Sequence, residues 1–258
     1  MKNSFFNNSV GNINLKPNSK SEVTSQILYG EKFKILSKKQ NWLKIKTYYD
    51  NYIGYIRKKK YLQKFNPSKK IFKLKSRIYK RKNKKLIKTN NFLYFGSRIS
   101  VKSKDKNYIE FDNGKWIKKN DVQNINHYEK NFIMILKLFL KTKYLWGGKT
   151  ANGIDCSALI QMFFYYNRIF FPRDTKDQIK YSKKKPNNKL DKGDIIFWKG
   201  HVGMCINKSK LIHAYGPKKR VLIMPTSYTI KIIDKSANLK VKKISNIKKI
   251  SFGRNLVY

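Results

Sequence analysis

Tyr144-Leu-Trp-Gly-Gly-Lys-Thr-Ala-Asn-Gly-Ile-Asp-Cys-Ser157 is the stretch from which the fold and chemistry of this chain can be read. Glycines 147, 148 and 153 make a loop whose backbone can approach another group closely. The loop empties into Cys156-Ser-Ala-Leu-Ile-Gln-Met-Phe-Phe-Tyr-Tyr-Asn167, a strong helical run. Asp155 is a natural N-cap, which places Cys156 in the first turn. The partial positive charge of a helix N-terminus favours thiolate, the nucleophilic form of cysteine. An adjacent Asp155 opposes that shift unless a cation pairs with it, so the thiol also needs a basic partner.

That partner must be histidine, and the chain has three. His127 falls in a polar stretch and is expected to be exposed. His201 opens Gly200-His-Val-Gly-Met-Cys-Ile206, and His213 lies in Leu211-Ile-His-Ala-Tyr215, after the turn Asn207-Lys-Ser-Lys210. The two runs predict a β-hairpin. A loop of two or four residues puts the histidines on opposite faces. A loop of three or five puts them on one face, and at three they are diagonal neighbours. A nucleophile, a base and a group orienting that base are the requirements of thiol acyl transfer. Cys205, inside the apolar run, reads as core. Upstream, Phe132-Ile-Met-Ile-Leu-Lys-Leu-Phe-Leu140 predicts a buried helix.

Residues 1–125 carry a different pattern: short alternating runs broken by Gly, Asn, Asp and Pro, as in small β-barrels. They hold a weak internal repeat. Gly30, Phe33, Ile35, Trp42, Leu43 and Ile45 align with Gly96, Ile99, Val101, Tyr108, Ile109 and Phe111, and Tyr55-Ile56 aligns with Trp116-Ile117 after a shorter turn. Two units of about 60 residues, each with about five strands, are the simplest arrangement. Pro67-Ser-Lys-Lys70 would join them.

The full chain has 258 residues, with 60 Lys+Arg against 14 Asp+Glu and a formal charge of +46. Hydrophobic residues at 40% and aromatics at 14% exclude a solvated basic tail. The charge raises the possibility of nucleic acid. Only eight of the basic residues are Arg, however, the type preferred for bidentate phosphate and base contacts, and the lysines are spread end to end. Nucleic acid is therefore not expected as a partner. Two cysteines exclude a disulfide scaffold and a four-cysteine zinc site, so neither a metal nor a cofactor is expected. No apolar run reaches 18 residues, and the N-terminus lacks an apolar h-region, which predicts a cytoplasmic protein without a membrane span; a monomer is expected.

Tyr144-x-Trp-Gly-Gly, Gly153-x-Asp-Cys-Ser157, Leu190-x-x-Gly-Asp-Ile-Ile-Phe197, Gly200-His-Val-Gly203 and Ile212-His-Ala214 occur in that order over about 75 residues. Together they resemble the NlpC-type cell-wall cysteine peptidases, which implies a papain-like fold. The runs ahead of them resemble bacterial SH3-like domains, as found in the γ-D-glutamyl-L-diamino acid endopeptidases, or dipeptidyl-peptidases VI. The implied fold class is α+β: two small SH3-like β-barrels at residues 1–64 and 68–126, then a papain-like catalytic domain at residues 128–258. The resemblance implies Cys156 as nucleophile, His201 as general base and acid, and His213 as the group orienting His201. It implies Asp155 and Ser157 as holders of a substrate α-amine, the substrate supplying the cation that Asp155 needs. Tyr144, Asp174 and Thr175 would be substrate-binding too, with Tyr52 and Glu22 contributed by the first barrel. The implied activity is hydrolysis of the bond between γ-D-Glu and a diamino acid, meso-diaminopimelate in the first instance, in short recycled peptidoglycan peptides with a free N-terminal L-Ala. The alternatives are a related amidase acting on intact cell wall and a non-enzymatic module binding polyanions.

Overall fold

The computed structural model describes residues 3–250, apart from 84 and 188. The chain divides into two compact units, one running to Glu129 and the other starting at Lys130.

The first unit is all β. A six-stranded antiparallel sheet runs in the order Asn3–Phe5, Lys32–Lys39, Trp42–Thr47, Ile53–Arg57, Val10–Asn14, Val23–Leu28. Its core gathers Phe6, Ile13, Ile27, Phe33, Leu43, Ile45 and Ile56, the apolar alternates of those strands. Residues 69–124 form a three-stranded and a five-stranded sheet around a second core that includes Ile71, Leu93, Ile99, Ile109, Phe111 and Ile117. The repeat is visible here. Leu43, Ile45 and Ile56 occupy the first core as Ile109, Phe111 and Ile117 occupy the second. Gly30 and Gly96 both take left-handed backbone, φ +77° and +82°. At Gly30 a Cβ would stand 2.2 Å from the Arg98 carbonyl oxygen, so glycine is required twice over. Tyr29 leaves the first segment to pack edge-on against Phe111, centroids 5.4 Å apart, which couples the two cores.

The second unit is α+β. Its antiparallel sheet runs Arg220–Pro225, Lys210–Tyr215, His201–Cys205, Asp194–Trp198, Lys243–Asn246. Four helices accompany it among the described residues: α1, Phe132–Leu138; α2, Cys156–Tyr166; α3, Thr175–Tyr181; and α4, Thr226–Ala237. Every residue of α2 is buried, because α1, α3 and two sheet strands pack around it. Its sequence is accordingly apolar on all sides. The Asn131 side chain accepts from the Met134 amide to cap α1, which ends at Leu138, two residues before the end of its apolar run. Asp194–Trp198 is fully buried and reads as a continuous apolar run after its first residue, as a strand covered on both faces does. No helix of the described residues is long and apolar enough to cross a membrane.

Candidate active site

The site begins at the start of α2. Asp155 caps it, its Oδ1 accepting from the Ala158 amide at 2.8 Å, which sets Cys156 at the first helical position. The glycine loop serves this placement. Gly147, at φ +72°, aims its N–H at Asp155 Oδ2, 3.0 Å away. A Cβ on Gly148 would lie 2.4 Å from the Gly153 carbonyl, and one on Gly153 would lie 2.4 Å from Leu145 Cβ. The close approach that these glycines permit is therefore to the loop's own chain.

Cys156 is 3% exposed, with its Sγ 3.9 Å from the carbonyl oxygen of Gly200. Burial above all, and then Asp155, push the thiol up to about 11, while hydrogen bonds from the Val202 amide and the Thr175 hydroxyl pull the other way. Desolvation of the enclosed sulfur thus works against the lowering that a helix N-terminus favours. At neutral pH the group is a thiol.

The hairpin beside it pairs Met204 with Ile212 and Cys205 with Leu211, and the Ile206 amide donates to the Lys210 carbonyl. Three residues, 207 to 209, remain in the loop. His201 and His213 accordingly share a face as diagonal neighbours, and His201 Nε2 lies 2.9 Å from His213 Nδ1. Gly203 keeps the space between them open, since a Cβ there would lie 3.4 Å from His213 Cβ and 3.2 Å from Leu211 Cδ1. Trp198 and Tyr215 flank His201, at 5.5 and 5.8 Å between centroids, and Tyr215 stacks on His213 at 4.8 Å and 14°. Burial lowers His201 to about 4; burial, and then His201, lower His213 to about 3. Both rings are neutral at pH 7.

Asp155 needs a cation, and Arg173 supplies it from the segment ahead of α3. Arg173 Nη2 lies 2.6 Å from Asp155 Oδ2 and Nη1 lies 3.0 Å from Oδ1, with both side chains buried. The Ser157 hydroxyl donates to Oδ1 at 3.1 Å and accepts from Arg173 Nη1 at 2.9 Å. With the amides of Gly147 and Ala158, Asp155 takes five hydrogen bonds from the protein. That fills the roughly four lone-pair directions of a carboxylate. Arg173 thus supplies, in the resting site, the countercharge to Asp155 and Ser157 that the resemblance assigned to a substrate amine. Arg173 stands immediately before Asp174 and Thr175, the two substrate-side residues that the resemblance implied. Its signal was there, in an acidic residue beside a buried nucleophile that demanded a countercharge.

Tyr144 is half-buried, and its phenol is raised by burial and then by the neighbouring Cys156 and Asp155. Asp174 precedes α3 without a side-chain capping bond, and burial raises its carboxyl. Tyr52 and Glu22 belong to the first unit, where the Tyr52 hydroxyl donates to the Thr24 carbonyl at 3.4 Å. His127 is half-exposed in that unit, with Nε2 3.8 Å from Glu129. Among the described residues, no group of three or more His, Cys, Asp or Glu could hold a metal ion.

Residues 141–236 match the NlpC/P60 family, and residues 16–60 match the bacterial dipeptidyl-peptidase Sh3 domain. The gamma-D-glutamyl-L-lysine dipeptidyl-peptidase of Bacillus subtilis (strain 168) is 25% identical over 234 residues, covering 81% of this chain and 77% of that one. The protein of the same name from Bacillus cereus is 27% identical, covering 80% and 71%. Dipeptidyl-peptidase 6 of Lysinibacillus sphaericus is 31% identical over 88 residues, 34% of this chain and 32% of its own. A solved NlpC/P60 family protein from Bacillus cereus ATCC 10987 shares the fold at a TM-score of 0.78, covering 96% of this chain and all of that one at 19% identity. The NlpC/P60 match and the peptidase-named relatives, together with the thiol at a buried helix start, support a cysteine-type peptidase, a hydrolase. The NlpC/P60 match falls within its second unit, and the match to a bacterial dipeptidyl-peptidase Sh3 domain falls within the first.

Proposed function

We propose that this peptidase hydrolyses the bond between γ-D-Glu and a diamino acid in short peptidoglycan peptides that begin with a free L-Ala. Cys156 is the nucleophile, His201 the base and then the acid, and His213 the group that orients His201. The observation that carries this reading is the 2.9 Å contact between His201 Nε2 and His213 Nδ1, beside a Cys156 sulfur lying 3.9 Å from the carbonyl of the residue before His201.

Because thiol and imidazole rest neutral, the proton must move during attack. His201 takes it from Cys156 as the sulfur adds to the scissile carbonyl carbon, and the opening amides of α2 face the oxyanion that forms. His201 then returns the proton to the leaving amine as the C–N bond breaks, giving a thioester and the diamino-acid product. Water, deprotonated by His201, hydrolyses the thioester and regenerates the thiol. The α-ammonium of L-Ala is assigned to Asp155 and Ser157, with Tyr144, Asp174 and Thr175 on the substrate side. Burial raises the Asp174 carboxyl, and a cation arriving near it would favour its charged form. The repeat supports reading residues 69–124 as a second SH3-like barrel.

Mass spectrometry of L-Ala-γ-D-Glu-meso-diaminopimelate and its L-lysine counterpart, incubated with the protein, tests the activity and ranks the diamino acids. Release of L-Ala-γ-D-Glu is expected, and its loss on N-acetylation of the substrate separates this specificity from an amidase on intact wall. Release undiminished in Cys156→Ala would sink the assignment.

A further inference from the structure

His213 has a second polar contact on the side away from His201. Its Nε2 lies 3.3 Å from the sulfur of Met224. Pairing of Lys210–Tyr215 with Arg220–Pro225 sets Leu211 opposite Met224 and His213 opposite Leu222, so Met224 is a diagonal neighbour of His213 on the same face. Met224 is 7% exposed and His213 is fully buried.

The two contacts of His213 constrain each other. A neutral imidazole carries one proton, on either Nδ1 or Nε2. The contact between His201 Nε2 and His213 Nδ1 accommodates one hydrogen, which either ring can provide. A thioether has none, and only accepts. The contact with Met224 is therefore satisfied only when His213 carries its proton on Nε2. His213 Nδ1 is then a bare acceptor, and His201 must hold its own proton on Nε2. That leaves His201 Nδ1 with a free lone pair, the state in which the ring can take a proton from a thiol. The opposite arrangement puts the proton of His201 on Nδ1, where it has nothing to accept with.

We infer that Met224 is a positioning residue: its sulfur, accepting from His213 Nε2–H, sets the direction of the protons along the His201–His213 pair and so keeps His201 Nδ1 available as a base. The sulfur is a weak acceptor, but in a dry pocket the alternative is a buried N–H with no acceptor. Stacked Tyr215 holds the His213 ring in the plane that makes both contacts. The catalytic consequence rests on the peptidase reading; the proton arrangement does not.

Two-bond 1H–15N correlation NMR of the full chain with labelled imidazoles, at pH 7.5 and without substrate, reads the tautomers directly. Both His201 and His213 are expected as Nε2–H in the native protein. In Met224→Leu, which keeps the volume and loses the acceptor, both are expected to move to Nδ1–H, with a native-like melting temperature as the control for folding. In the same variant kcat is expected to drop on the order of tenfold to a hundredfold, at or below the low end of general-base contributions because the base itself is retained, with KM little changed. A native His213 protonated on Nδ1 overturns the proposal, as does Met224→Leu retaining Nε2–H in both rings. Tautomers that shift as expected in a protein that cleaves no γ-D-glutamyl peptide leave the proton arrangement standing and refute the substrate.

Discussion

Cys156 and the two histidines set the resting chemistry of the site, and they do so as neutral groups. The sulfur is enclosed, and burial holds the thiol near 11 while it holds His201 near 4. The ultraviolet absorbance of thiolate, taken as native minus Cys156→Ala, should therefore stay flat from pH 5 to pH 8. A resting thiolate–imidazolium pair would give a full signal across that window. Arg173 carries a second prediction. Arg173→Met leaves Asp155 buried without its cation, and loss of one partner of a buried pair costs about 3–5 kcal/mol. Chemical denaturation should report that loss. Arg173→Lys should recover part of it, because an ammonium restores the charge without the two-pronged geometry. Asp155 as cap and Cys156 as first-turn thiol were legible from residue type and spacing. The sign of the thiol shift was not, because it depends on how tightly three other segments close over the sulfur.

The hairpin shows what one element can and cannot disclose. Its strands were plain in the apolar runs around His201 and His213, but their composition is silent on register. The three-residue loop resolved it, and with it the meeting of the two rings. Met224 was invisible at this level, since its strand had no mark in the sequence tying it to His213. Gly203 is the element's tightest point. Gly203→Ala should press only on the tip of Leu211, 3.2 Å away, while meeting His213 Cβ at an ordinary 3.4 Å, with kcat/KM little changed and a clear loss only for the bulkier Gly203→Val. Steady-state kinetics on the dipeptide-releasing reaction checks the order of the two variants.

At the scale of the whole molecule, two terms respond to solution conditions. His201 and His213 sit below the ordinary 6.5 when folded, so the unfolded chain binds more protons between that value and their folded values. Their contribution to stability is complete above about pH 6.5 and drains away as the pH falls toward 4. The melting temperature should drop over that interval, and His213→Asn should flatten the drop. The formal +46 acts on encounter rather than on folding. A substrate rich in carboxylates is drawn to such a surface, so kcat/KM should decline as ionic strength rises. A flat profile would detach the lysines from this reaction.

The loop of residues 207 to 209 leaves a mark on how this enzyme can change over generations. Asn207 ties the bend by accepting from the Ser209 and Lys210 amides, but Lys208 is exposed and could become almost anything. The loop's count cannot change. One codon gained or lost there would turn His213 to the opposite face of the sheet and disarm the enzyme from a distance, without touching a single residue that meets the substrate. Descendants of this chain should therefore vary in spelling at that bend while keeping its length, the reverse of what surface loops ordinarily tolerate.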